Sequence, residues 1–501
     1  MSDAVDLQVG ASPVARHVLD SPEATQRIIR GGIARTGAYF AGLLASLAAL
    51  PLLFRHLGVV DAGRYATVLS VVGIVGGIVE SGLSAVSVRE YSLHNGDEGA
   101  ALMRDLIGMR MGLFAAATGV TLAFLVVAGY PSILIAGAAI ALVGAALDSL
   151  ASVYSVWLST TLHLTTMAVM QVVRSVAATV LTLVLVLLHA PLLSFFVLLI
   201  VAAGSQLAIA VWATRGAIPH RPSLHVRSWW AFVRPSLPYI VAMGLGVVYL
   251  RIAMLLMALL ASDQQTGYFG VPFRLLEIVT LVSTVSLSSA FPILARAATS
   301  DPERHRYALR RLIEVASMVG GAVAVGSFAG ASVLVHILAG TDFDPSITIL
   351  RIMAISLAAK FVISAWAFSL LSVQAYTEVL RANAAALLVA VVLTVIAVPL
   401  YGGIGGAVAI AGADLVLVLG YALALHRYGF GVGMPKRSAI VIVVAAVVAT
   451  LVVLPIPASD AARAVIAVTL YVALLLVARV VPPEILGLLP RLRGRKTEAA
   501  A

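Results

Sequence analysis

Nine ionisable residues stand inside runs that are otherwise apolar: Arg174, Arg251, Arg274, Arg351 and Lys360 among the cations, and Glu80, Asp148, Glu277 and Asp414 among the anions. An unscreened charge at the centre of a bilayer costs at least about 2.5 kcal/mol, so such groups face a wet cavity or one another. The set leans to cations, and the planar fork of arginine matches phosphate oxygens while staying protonated at physiological pH. The chemistry on offer is recognition of an anion. No nucleophile–base set, redox motif or nucleotide-binding loop accompanies these charges in the sequence.

Arg251 is the leading candidate, because it sits near the middle of the apolar run 237–260, where a single side chain cannot easily snorkel to either surface. Arg274 and Glu277 are three residues apart and share a helix face. They admit two readings: an internal ion pair, or an arginine given to a ligand with the glutamate orienting it. Pro272 removes a backbone donor just before them, marking a first helical turn or a kink. Arg351 and Lys360 stand about 13–14 Å apart along one helix and roughly 180° around it, so both cannot address one small site. Arg351 reads as a rim residue, and Lys360 as either cavity-lining or paired with Asp148 or Asp414. Arg35 opens the first apolar run, while Arg55, Asp61 and Arg64 cluster at the next connection. That cluster reads either as headgroup anchoring or, through Arg35 and Arg55, as further cations spaced along depth. Arg174 is close enough to a run's end to snorkel. Glu80 has sequence neighbours too short and apolar to screen it, and joins Glu277, Asp148 and Asp414 as a candidate for ion coupling or ion pairing. The glycines at Gly402-Gly403-Ile404-Gly405-Gly406, ahead of Asp414, suit close helix packing, since the Lys-Ser/Thr of a phosphate-gripping loop is missing.

The elements that must hold these residues are membrane helices. Of 501 residues, 61% are hydrophobic and 11% charged, and the mean hydropathy is +1.05. A soluble fold could not cover that much apolar surface. The net charge of +10 is concentrated in short segments between apolar runs, which speaks for membrane topology and against nucleic-acid binding. The absence of cysteine removes disulfide and thiolate chemistry, and the 10 histidines are scattered without metal-ligand spacing, so neither a metal nor a cofactor is expected.

Segmenting by apolar runs of about 20 residues predicts 14 spans. They fall near 34–54, 65–88, 110–129, 132–157, 166–188, 191–212, 237–260, 267–293, 313–338, 347–370, 381–399, 403–425, 438–454 and 462–480. The expected organisation is an N-terminal tail over 1–30, a lobe of six helices over 31–212, a basic linker over 213–236, a second six-helix lobe over 237–425, two further helices over 426–480 and a tail over 481–501. The run after Arg35 is too long for a signal-peptide core and lacks a cleavage site, so it reads as a retained anchor. Lys and Arg gather in alternate connections (89–110, 215–234, 296–311, 427–437 and the two ends), which places both termini in the cytoplasm. Gly63-Arg64-Tyr65-Ala66 and Thr266-Gly267-Tyr268-Phe269 open corresponding helices of the two halves, as parallel repeats of a transporter would.

These features resemble the Wzx-like polysaccharide flippases, the PST branch of the multidrug/oligosaccharidyl-lipid/polysaccharide (MOP) exporter superfamily. The likeness is carried by Arg-His-Leu-Gly-Val-Val-Asp-Ala-Gly-Arg-Tyr-Ala at 55–66, Glu-Ser-Gly-Leu-Ser at 80–84 and Val-Arg-Glu at 88–90. It continues in Tyr249-Leu250-Arg251-Ile252 and Gln-Thr-Gly-Tyr-Phe-Gly-Val-Pro-Phe-Arg-Leu-Leu-Glu at 265–277. The resemblance implies an all-α polytopic protein of two six-helix lobes in parallel pseudo-twofold arrangement plus two C-terminal helices. It also implies a non-enzymatic transporter in the bacterial inner membrane. Its substrate would be a polyprenyl-(pyro)phosphate-linked oligosaccharide, bound through Arg251 and Arg274 with Arg35, Arg55 and Lys360 as weaker fits, and flipped to the outer leaflet by alternating access. Membrane lipids and glycan-assembly enzymes would be its partners, and a monomer its working form. Where many relatives carry an acidic residue shortly after the helix-7 arginine, this chain has Ala253. Any H+ or Na+ coupling therefore shifts toward Glu80, Glu277, Asp148 or Asp414. The alternative is an ion-coupled multidrug or small-solute antiporter of the related branch, which would favour cavity carboxylates.

Overall fold

The structure, a computed structural model, describes the backbone of residues 22–80, 83–94, 96–223, 226–288, 290–429 and 434–482. The expected tails therefore lie mostly outside the described residues; residues 22–30 of the first are helical and form the start of helix α1 (Pro22–Glu80). It is a single run of helix except at Gly58, whose φ of 67° and ψ of −176° break the helical geometry. Only glycine adopts this conformation without a steric penalty. The runs expected as separate spans at 34–54 and 65–88 thus fall on the two arms of one kinked element, the second run reaching beyond its end at Glu80.

The chain continues through α2 (Leu83–Leu93), α3 (Gly96–Val127), α4 (Ser132–Thr160), α5 (Leu164–Leu187), α6 (Leu192–Ala213), α7 (Val226–Val233) and α8 (Leu237–Leu260). It goes on through α9 (Asp263–Ser288), α10 (Phe291–Ser300), α11 (Pro302–Ala329), α12 (Ala331–Leu338) and α13 (Pro345–Ser372). The last four are α14 (Tyr376–Tyr401), α15 (Gly403–Arg427), α16 (Lys436–Val453) and α17 (Asp460–Val477). Among the described residues, 13 helices are long and apolar enough to cross a membrane, against 14 expected. The difference falls in α1, which provides one such stretch, Ala48–Glu80. The protein is an all-α polytopic membrane protein.

Connections expected to be plain loops carry helix of their own. α3 begins well before the span placed at 110, with α2 ahead of it, and α7 and α10 occupy parts of the connections near 215–234 and 296–311. Their charges interrupt the apolar run without interrupting the helix. α11 shows how such a start is fixed: the Asp301 side chain accepts from the backbone N–H groups of Glu303 and Arg304 at 3.1 and 3.0 Å, with Pro302 at the first helical position.

Two compact units divide the chain, one holding residues up to Leu57 with Thr67–Arg251, the other Gly58–Ala66 with Ile252 onward. In the first, α4 lies along α6, with Gly137 against the Phe196 ring and Gly144 against the Leu199 backbone. Met103, Leu106, Tyr154, Leu158 and Met170 build a core beside them. In the second, α13 packs against α9, α11 and α15, and α14 and α15 form a tight pair. A side chain at Gly405 would strike the Ala397 carbonyl, so the glycine-rich run serves close helix packing. The final pair α16 and α17 rests on α11, where the buried Tyr471 hydroxyl donates to the Met318 carbonyl at 3.1 Å.

Candidate functional site

Arg251 lies mid-way along α8, half-buried, and its Nη1 donates to the Leu69 carbonyl of α1 at 3.3 Å. Room for the guanidinium comes from Gly73, one turn further along α1: a Cβ there would overlap the Arg251 guanidinium itself. Gly77 makes the same allowance for Val247, so a small-xxx-small stripe on α1 receives α8 and sets the depth of the arginine. Sequence reasoning missed Gly73, although its four-residue spacing from Gly77 was a usable sign.

In the second unit, Arg274 and Glu277 form the ion pair allowed by their spacing, with Nη1 2.8 Å from Oε2. The arginine side chain keeps 33% of its exposure against 10% for the glutamate, and its Nε is buried without a hydrogen bond. Tyr65 is within electrostatic reach of both. Ion pairing and ligand binding are therefore compatible, since the glutamate fixes the fork while other N–H groups stay open to an acceptor.

The segment Gly58–Ala66 is held in this unit by backbone contact. Gly63 and Gly267 meet so closely that a Cβ on either would clash with main-chain atoms, in Gly267's case with the Val59 carbonyl. Beside this crossing Arg64 forks onto Asp263, with Nε and Nη2 at 3.1 and 2.6 Å from Oδ2, and reaches Asp61 at 3.0 Å. The charge of Arg64 is spent locally. Arg55 is exposed on α1, and the side chain of Arg35 lies outside the described residues.

Glu80 differs from what its sequence neighbours suggest. Its screening comes from other helices. Arg110 Nη1 stands 3.0 Å from Oε1, and the same oxygen accepts from Ser149 and Ser152 at 3.0 and 2.9 Å. Ser84 donates to Oε2 at 2.8 Å. Arg110 is 2% exposed and also donates to the Val79 carbonyl at 2.7 Å and to Ser84 Oγ at 3.0 Å. The sequence places this arginine among the basic residues at a span's edge, so its inward role went unseen. Nearby, Asp148 pairs with Arg174 at 3.0 Å.

Lys360 takes Asp414 as its partner, not Asp148. Nζ and Oδ1 are 2.6 Å apart, and both side chains are sealed at 4% and 2% exposure. Arg351 lies elsewhere on α13, its guanidinium carbon 5.9 Å from the centre of the Phe328 ring and its Nε buried without a hydrogen bond. Among the described residues no group of three or more His, Cys, Asp or Glu is placed to hold a metal ion.

Residues 28–298 match the family described as "Polysaccharide biosynthesis protein". The chain belongs to that family. The matched stretch of this polysaccharide biosynthesis protein holds Arg251, Gly73, Arg274 and the Glu80–Arg110 pair, while Lys360 and Asp414 lie beyond it. A search of curated proteins finds no match. Among solved structures, the fold is similar to that of the lipid II flippase MurJ in an inward closed conformation, with a TM-score of 0.71 and 14% identity over 89% of this chain and 99% of that one. It is also similar to an inward-facing multidrug resistance MATE family transporter of the MOP superfamily, with a TM-score of 0.62 and 14% identity over 79% of this chain and 97% of that one. A eukaryotic MATE transporter matches with a TM-score of 0.56 and 12% identity over 89% of this chain and 100% of that one. The fold expected from the resemblance to MOP exporters is the one these structures share.

Proposed function

We propose that the chain is a flippase that moves a polyprenyl-(pyro)phosphate-linked oligosaccharide from the cytoplasmic to the outer leaflet by alternating access. The observation that carries this reading is Arg251, a guanidinium kept at mid-span depth by a glycine opposite it, in a chain of the polysaccharide biosynthesis family. A fixed cation within the bilayer lowers the cost of bringing a lipid phosphate away from water. Arg274 provides a second phosphate-matching fork, and Arg35 and Arg55 would supply further positive charge from the arm of α1 that precedes the Gly58 kink. The likeness in fold to a structure named as a lipid II flippase supports the same substrate class.

In this reading the protein works in the bacterial inner membrane with both termini in the cytoplasm, as the distribution of basic connections favours. Two six-helix lobes, 31–212 and 237–425, would be related by a pseudo-twofold axis, with the two helices over 426–480 appended. Support comes from Gly63 and Gly267, which hold corresponding places in the two similar motifs and meet backbone to backbone, as equivalent residues near such an axis would. Substrate delivery would fall to glycan-assembly enzymes. H+ or Na+ coupling would act through carboxylates such as Glu80, Glu277 or Asp148.

The test is translocation in proteoliposomes carrying a fluorescent polyprenyl-pyrophosphate oligosaccharide. Protein-dependent loss of leaflet asymmetry is the expected result. Cationic-dye export without glycolipid movement would instead establish the antiporter alternative.

A further inference from the structure

Lys360 and Asp414 form the most deeply sealed ion pair described in a membrane span of this chain, and substrate binding leaves them without a task. Lys360 lies in the middle of α13 and Asp414 in the middle of α15. At that depth a lone carboxylate calls for a compensating cation. Hydroxyls of α9 and α13 meet at the backbone of the turn that carries the lysine. On α9, Ser283 Oγ lies 3.0 Å from Ser364 Oγ and 3.5 Å from the Lys360 carbonyl. Ser356, one turn before Lys360 on the same face of α13, is fully buried and its Oγ makes no hydrogen bond. A sealed carboxylate, with buried hydroxyls on the neighbouring turns where three helices pack, offers the hard oxygen chemistry that a small monovalent cation takes. In this chain the position beside the carboxylate is taken by an ammonium carried on the protein's own side chain.

We propose that the Lys360 ammonium is a tethered replacement for a bound monovalent cation, and that removing it would open a site for Na+ or a small ammonium ion on Asp414. The proposal rests on the transporter reading for its purpose: a built-in cation would hold α9, α13 and α15 together whatever the Na+ concentration, leaving this unit independent of external Na+. Its chemistry depends only on the geometry. A lysine serving only to brace the helices would leave no ion-specific site behind when shortened, whereas a lysine standing in for an ion would.

The experiment is thermal unfolding of the purified full chain in detergent, with choline chloride as the background salt. Wild type should show the same midpoint when Na+, ammonium or methylammonium replaces choline at constant ionic strength. Lys360→Ala should lose several degrees in choline and recover part of that loss, saturably, with Na+ or ammonium. Lys360→Met, which fills the space, and the double variant Lys360→Ala/Asp414→Ala should show no such recovery. Loss of the ion-specific recovery in Lys360→Ala would overturn the proposal. So would a saturable Na+ stabilisation of wild type that disappears in Asp414→Asn, a result that stays readable if Lys360→Ala fails to fold. Because stability is read and not translocation, failure here leaves the flippase reading standing, and failure of translocation leaves this site standing.

Discussion

The two units solve the problem of a carboxylate at membrane depth in opposite ways. In the first, Glu80 keeps 35% of its exposure and collects donors from Arg110, Ser84, Ser149 and Ser152. In the second, Asp414 is 2% exposed and rests on a lysine that is almost as deeply buried. Because its donors come from three helices, Glu80 can lose one of them and still be hydrogen-bonded. A sealed pair cannot do so, because removing either partner leaves the other uncompensated. The first arrangement suits a group whose contacts rearrange, and the second a permanent fastening.

This contrast can be broken by substitution. Lys360→Met strands Asp414 and should cost about 3–5 kcal/mol of stability, measured by denaturant unfolding in detergent; a loss under about 1 kcal/mol would make the pair dispensable. Arg110→Met should cost less, about 2 kcal/mol, because Glu80 retains three hydroxyl donors and some hydration. Equal losses in these two variants would erase the distinction between the units. Glu80→Gln keeps most of the hydrogen bonds but leaves the buried Arg110 without its counter-charge, and should cost about 1–2 kcal/mol. Its further signature is kinetic: the pH dependence of translocation should flatten if Glu80 carries the coupling proton, and an unaltered profile would remove it from that role.

Composition and apolar run length revealed the membrane fold because every crossing must display its hydrophobicity over about 20 residues. Polar partnerships were less legible. Arg274 with Glu277 is readable from a spacing of three within one helix, but Glu80 draws its partners from Arg110, Ser149 and Ser152, far along the chain and set by helix packing. Lys360 had two plausible aspartates, and only the packing of α13 on α15 selects Asp414. The kink at Gly58 escaped detection for a related reason: one residue of unusual backbone geometry leaves no trace in hydropathy. Arg110 was hidden by its position, since a basic residue at the edge of an apolar run has the same sequence signature whether it meets lipid headgroups or turns inward.

The central claim is that a cation fixed at mid-membrane depth on α8 conducts a lipid phosphate across. Arg251→Glu tests it most directly, in the proteoliposome assay with lipid-linked oligosaccharide and with Arg55→Glu as the comparison at an exposed position. The account predicts that Arg251→Glu abolishes translocation in protein that remains folded, while Arg55→Glu retains a substantial part of it. Wild-type rates from folded Arg251→Glu would contradict the account.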